Sequence, residues 1–171
     1  MKNGWLQRMD LWVRHLLPLG LTLLLVLMEA MPTHLPGFAE ISPLLPLIGV
    51  YYWSIFRPDL LPAVMAFFIG LLSDIIMGMP LGVSALIYLL VQGTTASQRR
   101  FFLGKPFVVA WCCFSLVAVS AIFLEWALVS MLNGHLIPLP AVLFEMLMTV
   151  ACYPLFSWLF GRAQSALLRD A

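Results

Sequence analysis

Four carboxyl side chains, Glu29, Asp74, Glu125 and Glu145, stand inside long apolar stretches that contain no Lys or Arg. An ionised acid at a bilayer centre costs about 2.5–3.5 kcal/mol on insertion scales, and less toward the edge. Acids placed this way must therefore be protonated, reach water, accept hydrogen bonds within the fold, or meet a partner chain. That is the chemistry of intramembrane polar contact, and an acid in such a place is a functional-site candidate by default. Catalytic alternatives lack their motifs. There is no H-E-x-x-H pair for zinc, and Gly82-Val83-Ser84-Ala85 lacks the second glycine of a nucleophile elbow. Cys112, Cys113 and Cys152 have no metal or haem spacing, and His15, His34 and His135 fall at the ends of apolar runs. No catalytic residue, cofactor or metal site is expected.

Asp74 has the most informative neighbours. In the run Phe67 to Gly82, the residues Gly70, Asp74 and Gly78 recur every four positions and so share one helical face. Glycines at that spacing let another backbone approach closely in lipid. The expectation is a close helix–helix contact that sets Asp74 against carbonyls or hydroxyls, followed by a sharp turn from Gly78 through Pro80 to Gly82. Two further small, polar stripes follow from helical spacing: Ser115, Ala118, Ala121 and Glu125, and Ala141, Glu145, Thr149 and Cys152. Gly70, Asp74, Gly78, Gly82, Glu125 and Glu145 are the candidate positions for helix packing or partner interaction.

The elements that hold these residues are membrane helices. Of the 171 residues, 63% are apolar and 10% charged, against roughly 45–50% and about 25% for soluble domains. This excludes a soluble enzyme, a nucleic-acid binder and a disordered regulator. Punctuation by proline and charge divides an all-α chain into six apolar runs, about 15–32, 41–56, 60–78, 81–96, 106–132 and 137–160. The fourth is short and softened by Gln92, Gly93, Thr94 and Thr95, so a tilted or re-entrant segment is its alternative. Residues 1–14 place Trp5, Leu6, Met9, Trp12 and Val13 on one face, the pattern of a helix lying on the inner leaflet. Residues 162–171 form a tail.

With six alternating spans, all nine Lys and Arg fall on one side: Lys2, Arg8, Arg14, Arg57, Arg99, Arg100, Lys105, Arg162 and Arg169. Basic residues are retained on the cytoplasmic side, which puts both termini there. At 1.5 Å rise per residue, Glu29 and Asp74 lie about 15 residues from the cytoplasmic starts of their helices. Glu125 lies about 19 residues from its start, and Glu145 about 8 from the opposite, outer end of its helix. All four acids are thus expected in the outer half of the bilayer.

The ordered set Phe67-x-x-Gly70-x-x-x-Asp74-x-x-x-Gly78-x-x-Leu81-Gly82-Val83, preceded by Tyr51-Tyr52-Trp53-Ser54-Ile55-Phe56-Arg57-Pro58-Asp59, resembles the rod shape-determining MreD family of bacteria over essentially the whole chain. The resemblance implies a multi-pass, non-catalytic subunit of the inner (cytoplasmic) membrane, working beside MreC, RodA, the elongation-specific transpeptidase and MreB. It also implies a fold similar to the substrate-binding S components of vitamin transporters. A small-molecule-binding transporter subunit is therefore the alternative function, and proton-coupled transport through the four acids a more distant one. The family carries no established catalytic residues to transfer, and the matching positions, Gly70, Asp74, Gly78 and Gly82, are expected to be structural.

Overall fold

Proline and glycine set most of the helix boundaries in the computed structural model, which describes residues 4–31 and 42–168, with side chains for 16–31 and 42–166. Seven helices follow in order: α1 (Gly4–Glu29), α2 (Leu45–Phe56), α3 (Ala63–Met77), α4 (Val83–Ser97), α5 (Arg99–Phe102), α6 (Phe107–Asn133) and α7 (Leu139–Leu168). Among the described residues there is no strand. Pro62 and Pro106, both extended, immediately precede α3 and α6, and α2 has proline in its first turn, where a missing N–H costs nothing.

Each of the six apolar runs carries a helix, and the basic loop adds the short α5. Two helical stretches, α6 and residues Leu139–Ala166 of α7, are long and apolar enough to cross a membrane. The helices α2, α3 and α4 have 12, 15 and 15 residues, about 18–23 Å at 1.5 Å per residue, against a hydrocarbon core of about 30 Å. They stop short of the apolar runs because proline and left-handed glycine end them. The fourth run forms the regular helix α4 despite its polar residues. Thr94 and Ser97 turn their hydroxyls back to carbonyls of their own helix, at Leu90 and Thr94, so these side chains do not break it.

Two boundaries differ from the expected ones. The N-terminal segment and the first apolar run form one continuous helix, α1, with Pro18 inside it. Thr22 donates its hydroxyl proton to the Pro18 carbonyl at 2.7 Å. At the other end α7 continues through Gly161 to Leu168. One glycine costs about 1 kcal/mol in a helix and does not stop it when no proline follows, and the Tyr52 hydroxyl donates to Gln164 Oε1 across this stretch at 3.4 Å. The expected amphipathic face of residues 1–14, the loop containing His34 and Glu40, and Arg169 and Asp170 lie outside the described side chains.

The centre of the bundle is α2. Every residue from Leu45 to Ile55 is buried, as expected for a helix that is apolar on all sides, and it packs against α1, α4, α5 and α7. Tyr51 donates its hydroxyl proton to the Ala110 carbonyl of α6 at 3.0 Å. Its ring meets Phe114 and Tyr153 edge-on, with centroids at 5.1 and 5.8 Å. Phe114 and Tyr153 are themselves stacked at 4.3 Å, which ties α2, α6 and α7 together. The indole N–H of Trp111 reaches the Val150 carbonyl at 3.1 Å, a second link between α6 and α7.

The tightest helix pair is α3 with α4. A Cβ built on Gly70 would come within 2.6 Å of the Ala85 backbone nitrogen and 2.8 Å of the Ser84 carbonyl carbon. Only glycine permits that approach, and close backbone approach is what holds helices together in lipid. Gly93 on α4, by contrast, faces open space. Gly70→Ala should therefore lower stability by about 1–3 kcal/mol through overpacking, read as a lower midpoint of thermal unfolding in detergent. Gly93→Ala should leave the midpoint unchanged or raise it, because alanine is the better helix former. Equal effects of the two substitutions would contradict the packing described.

Candidate functional site

The site begins at Asp74, whose side chain is fully buried at 0% exposure. Its backbone carbonyl accepts the N–H of Gly78 and of Met79 at 2.9 Å, closing the C-terminus of α3. Its two carboxyl oxygens turn the other way. Oδ2 accepts the Gly82 N–H at 2.8 Å and Oδ1 the Ser84 N–H at 3.0 Å. Helix N-termini leave four N–H groups without partners, and a side chain at the N-cap normally takes one of them. Here the N-cap is Gly82, which has no side chain to offer, and Asp74 caps α4 from the preceding helix. One residue thus secures both ends of the turn, and its negative charge sits at the positive end of the α4 dipole.

The two turn glycines make this geometry possible. Gly78 (φ +66°) and Gly82 (φ +101°) both lie in the left-handed region, which other residues enter at a cost. This corrects two expectations. Gly78 is not a close-approach glycine, since a Cβ there would meet nothing within 4 Å; its value is its backbone angle. Asp74 is not set against carbonyls or hydroxyls either: its carboxyl group accepts backbone N–H groups. Gly70 alone of the three i, i+4 positions is a packing glycine.

Around this turn the other three acids gather. Glu29 interacts electrostatically with Glu125 and Glu145, and Glu125 with both Glu145 and Asp74. Glu29 and Glu125 are buried, at 7% and 5% exposure, while Glu145 is half-buried. Acids from four helices, α1, α3, α6 and α7, are thus linked through Glu125. The burial of Ala118, Ala121 and Glu125 turns one small-residue stripe inward, with Ser115 half-buried at its end. On the other stripe Thr149 is buried, donates to the Glu145 carbonyl at 2.7 Å and accepts the Leu44 N–H at 2.9 Å, supplying a partner at the start of α2. Ala141 and Cys152 are half-buried.

Sequence reasoning missed Tyr88. It is fully buried on α4, its hydroxyl stands beside Ser73, and it lies within electrostatic reach of Glu29, Glu125 and Asp74. No hydrogen bond of normal geometry satisfies that hydroxyl, and none satisfies Oε2 of Glu29 or of Glu125. The available signal was a lone polar ring in the apolar run 81–96, on the helix that Asp74 caps. Among the described residues no three His, Cys, Asp or Glu side chains converge to hold a metal ion.

Fold and site together define an all-α protein with helices of membrane-crossing length, organised around a capped hairpin and a buried group of acids. The family model described as rod shape-determining protein MreD matches residues 9–162, and the chain belongs to that family. Its family is membrane-associated and acts in determining rod shape, as a structural protein not known as an enzyme. An uncharacterized protein of Rickettsia prowazekii (strain Madrid E) is 27% identical over 120 residues, covering 67% of this chain and 65% of that relative's length. No solved structure gives a significant match.

If Asp74 holds both N–H groups, Asp74→Leu should cost about 3–6 kcal/mol, since each of the two hydrogen bonds to a charged acceptor contributes about 1.5–3 kcal/mol. Asp74→Asn, which keeps one acceptor oxygen and turns an amide N–H₂ toward the other donor, should fall between wild type and Asp74→Leu. Unfolding midpoints of the three purified proteins give the order, and an Asp74→Asn protein as stable as wild type would contradict it.

Proposed function

We propose that this protein is a non-catalytic scaffold of the bacterial inner (cytoplasmic) membrane, part of the cell-elongation complex, linking MreC and the peptidoglycan synthases RodA and the elongation-specific transpeptidase to the MreB cytoskeleton. The observation that carries the reading is membership of the rod shape-determining family over residues 9–162. Two features support it. The described residues form helices joined by short turns, with no strand among them. At the site, Asp74 and Thr149 are spent on securing the starts of α4 and α2.

The proposed topology has six spans with both termini cytoplasmic. It rests on the one-sided placement of all nine Lys and Arg, and on six helices that alternate between prolines and glycines. Short helices such as α2, α3 and α4 are compatible with a span when the bilayer thins locally or polar flanks adapt, at a modest cost per ångström of mismatch.

Affinity purification from native membranes should recover MreC with this chain, and Asp74→Leu should reduce that recovery and round the cells. Reproducible purification of the chain alone, at normal expression, would contradict the scaffold reading. Single cysteines placed at positions 3 and 166 in a protein lacking Cys112, Cys113 and Cys152 test the topology. Both should resist a membrane-impermeant thiol reagent applied to the outer face, and labelling of either would contradict the six-span arrangement.

A further inference from the structure

The four acids of the site are not equivalent. Asp74 is satisfied by the Gly82 and Ser84 N–H groups, whereas Glu29, Glu125 and Glu145 crowd one another in runs that contain no basic residue. Every Lys and Arg of the chain lies at positions 2–14, 57, 99–105, 162 or 169. Like charges gathered in a poorly solvated place repel, and a polar atom buried without a partner carries its full desolvation cost. The second penalty is present here. Oε2 of Glu29, Oε2 of Glu125 and the hydroxyl of Tyr88 are buried and unpartnered, and Tyr88, at 0% exposure, lies within electrostatic reach of both glutamates.

We propose that Glu29, Glu125, Glu145 and Tyr88 form a binding site for a protonated nitrogen group, an ammonium or guanidinium, presented from outside the chain. The donor count fits. An ammonium offers three N–H donors and a guanidinium five, with no acceptor, and three oxygens, Oε2 of Glu29, Oε2 of Glu125 and the Tyr88 hydroxyl, are buried without a partner. The positive charge favours the carboxylate form of the glutamates, and the tyrosine oxygen, which has no hydrogen bond of normal geometry among the described residues, accepts a donor. A metal ion fits less well, because the described carboxyl groups do not close into a metal-holding set. Glu145, the half-buried member, is where the group enters. Two sources share this chemistry: a Lys or Arg side chain on a neighbouring membrane helix, and a free alkylamine.

The test uses the full chain in lipid nanodiscs, titrated with n-butylammonium at constant ionic strength and read by the thermal midpoint. The expected result is a saturable rise in midpoint with n-butylammonium and none with tetramethylammonium, which has the charge but no N–H donor. Tyr88→Phe should leave the unliganded midpoint within about 1 °C, because it removes a hydroxyl with no partner, yet weaken binding about tenfold; Glu125→Gln should weaken it at least as much. Glu145→Gln, at the half-buried position, supplies the comparison if Glu125→Gln does not fold. No saturable shift, an equal shift with tetramethylammonium, or undiminished binding in Tyr88→Phe and the Gln variants would each overturn the proposal. A photocrosslinker at Met148, which is 40% exposed one turn from Glu145, separates the sources. Capture of a segment with Lys or Arg inside an apolar run, competed by n-butylammonium, identifies a partner helix, and n-butylammonium binding without such capture identifies a free amine.

Discussion

A backbone N–H has no water to turn to inside a membrane, so every helix end must be satisfied from within the protein. The turn between α3 and α4 meets that requirement through one residue. Asp74 accepts Gly78 and Met79 on its carbonyl and Gly82 and Ser84 on its carboxyl group. With the turn closed in this way, the two helices can run side by side at the distance Gly70 allows. The position of α4 then sets the rest: it packs on α2 and α6, and it carries Tyr88 within electrostatic reach of Glu29 on α1 and Glu125 on α6. Removing the cap would leave two N–H groups without a partner and loosen the α3–α4 pair.

This arrangement explains why a buried acid belongs to a protein of structural role. A carboxyl group offers a separate oxygen to each of two backbone donors eight and ten residues away while complementing the dipole of the helix they begin. Its cost in the bilayer is offset by the hydrogen bonds it accepts. The same account does not extend to Glu29 and Glu125, each of which keeps an unpartnered oxygen. Two kinds of buried acid therefore coexist in the bundle, one used up in holding the fold and the others left with capacity for a group the chain lacks.

Much of this was legible in the sequence, for identifiable reasons. Apolar runs and their proline boundaries located six helices because the side-chain pattern of a membrane helix is coarse and strong. Helical rise put the four acids in the outer half of the expected bundle, and in the structure Glu125 lies within electrostatic reach of the other three. The family was legible in the ordered Gly70, Asp74, Gly78 and Gly82. What each of those residues does was not. A four-residue spacing describes a face, whereas the actual roles divide between close approach at Gly70, left-handed backbone at Gly78 and Gly82, and capping at Asp74. The partners of Asp74 are backbone atoms beyond a turn, and no side-chain pattern records them. Tyr88 escaped for a related reason: an isolated tyrosine in an apolar run resembles ordinary packing until its neighbours across three other helices are known. The helix ends shifted where continuity is cheap, at Gly161 and at the junction before Leu16, because nothing in those stretches forbids one more turn.

The central claim is that the Asp74 carboxyl group holds the first turn of α4. Residue-resolved amide hydrogen exchange of the protein in nanodiscs tests it most directly, comparing wild type with Asp74→Ala. The Gly82 and Ser84 amides should be protected in wild type and should exchange at least about tenfold faster in Asp74→Ala, while amides in the middle of α6 keep their protection. Unchanged exchange at Gly82 and Ser84, with α3 and α4 otherwise intact, would contradict it.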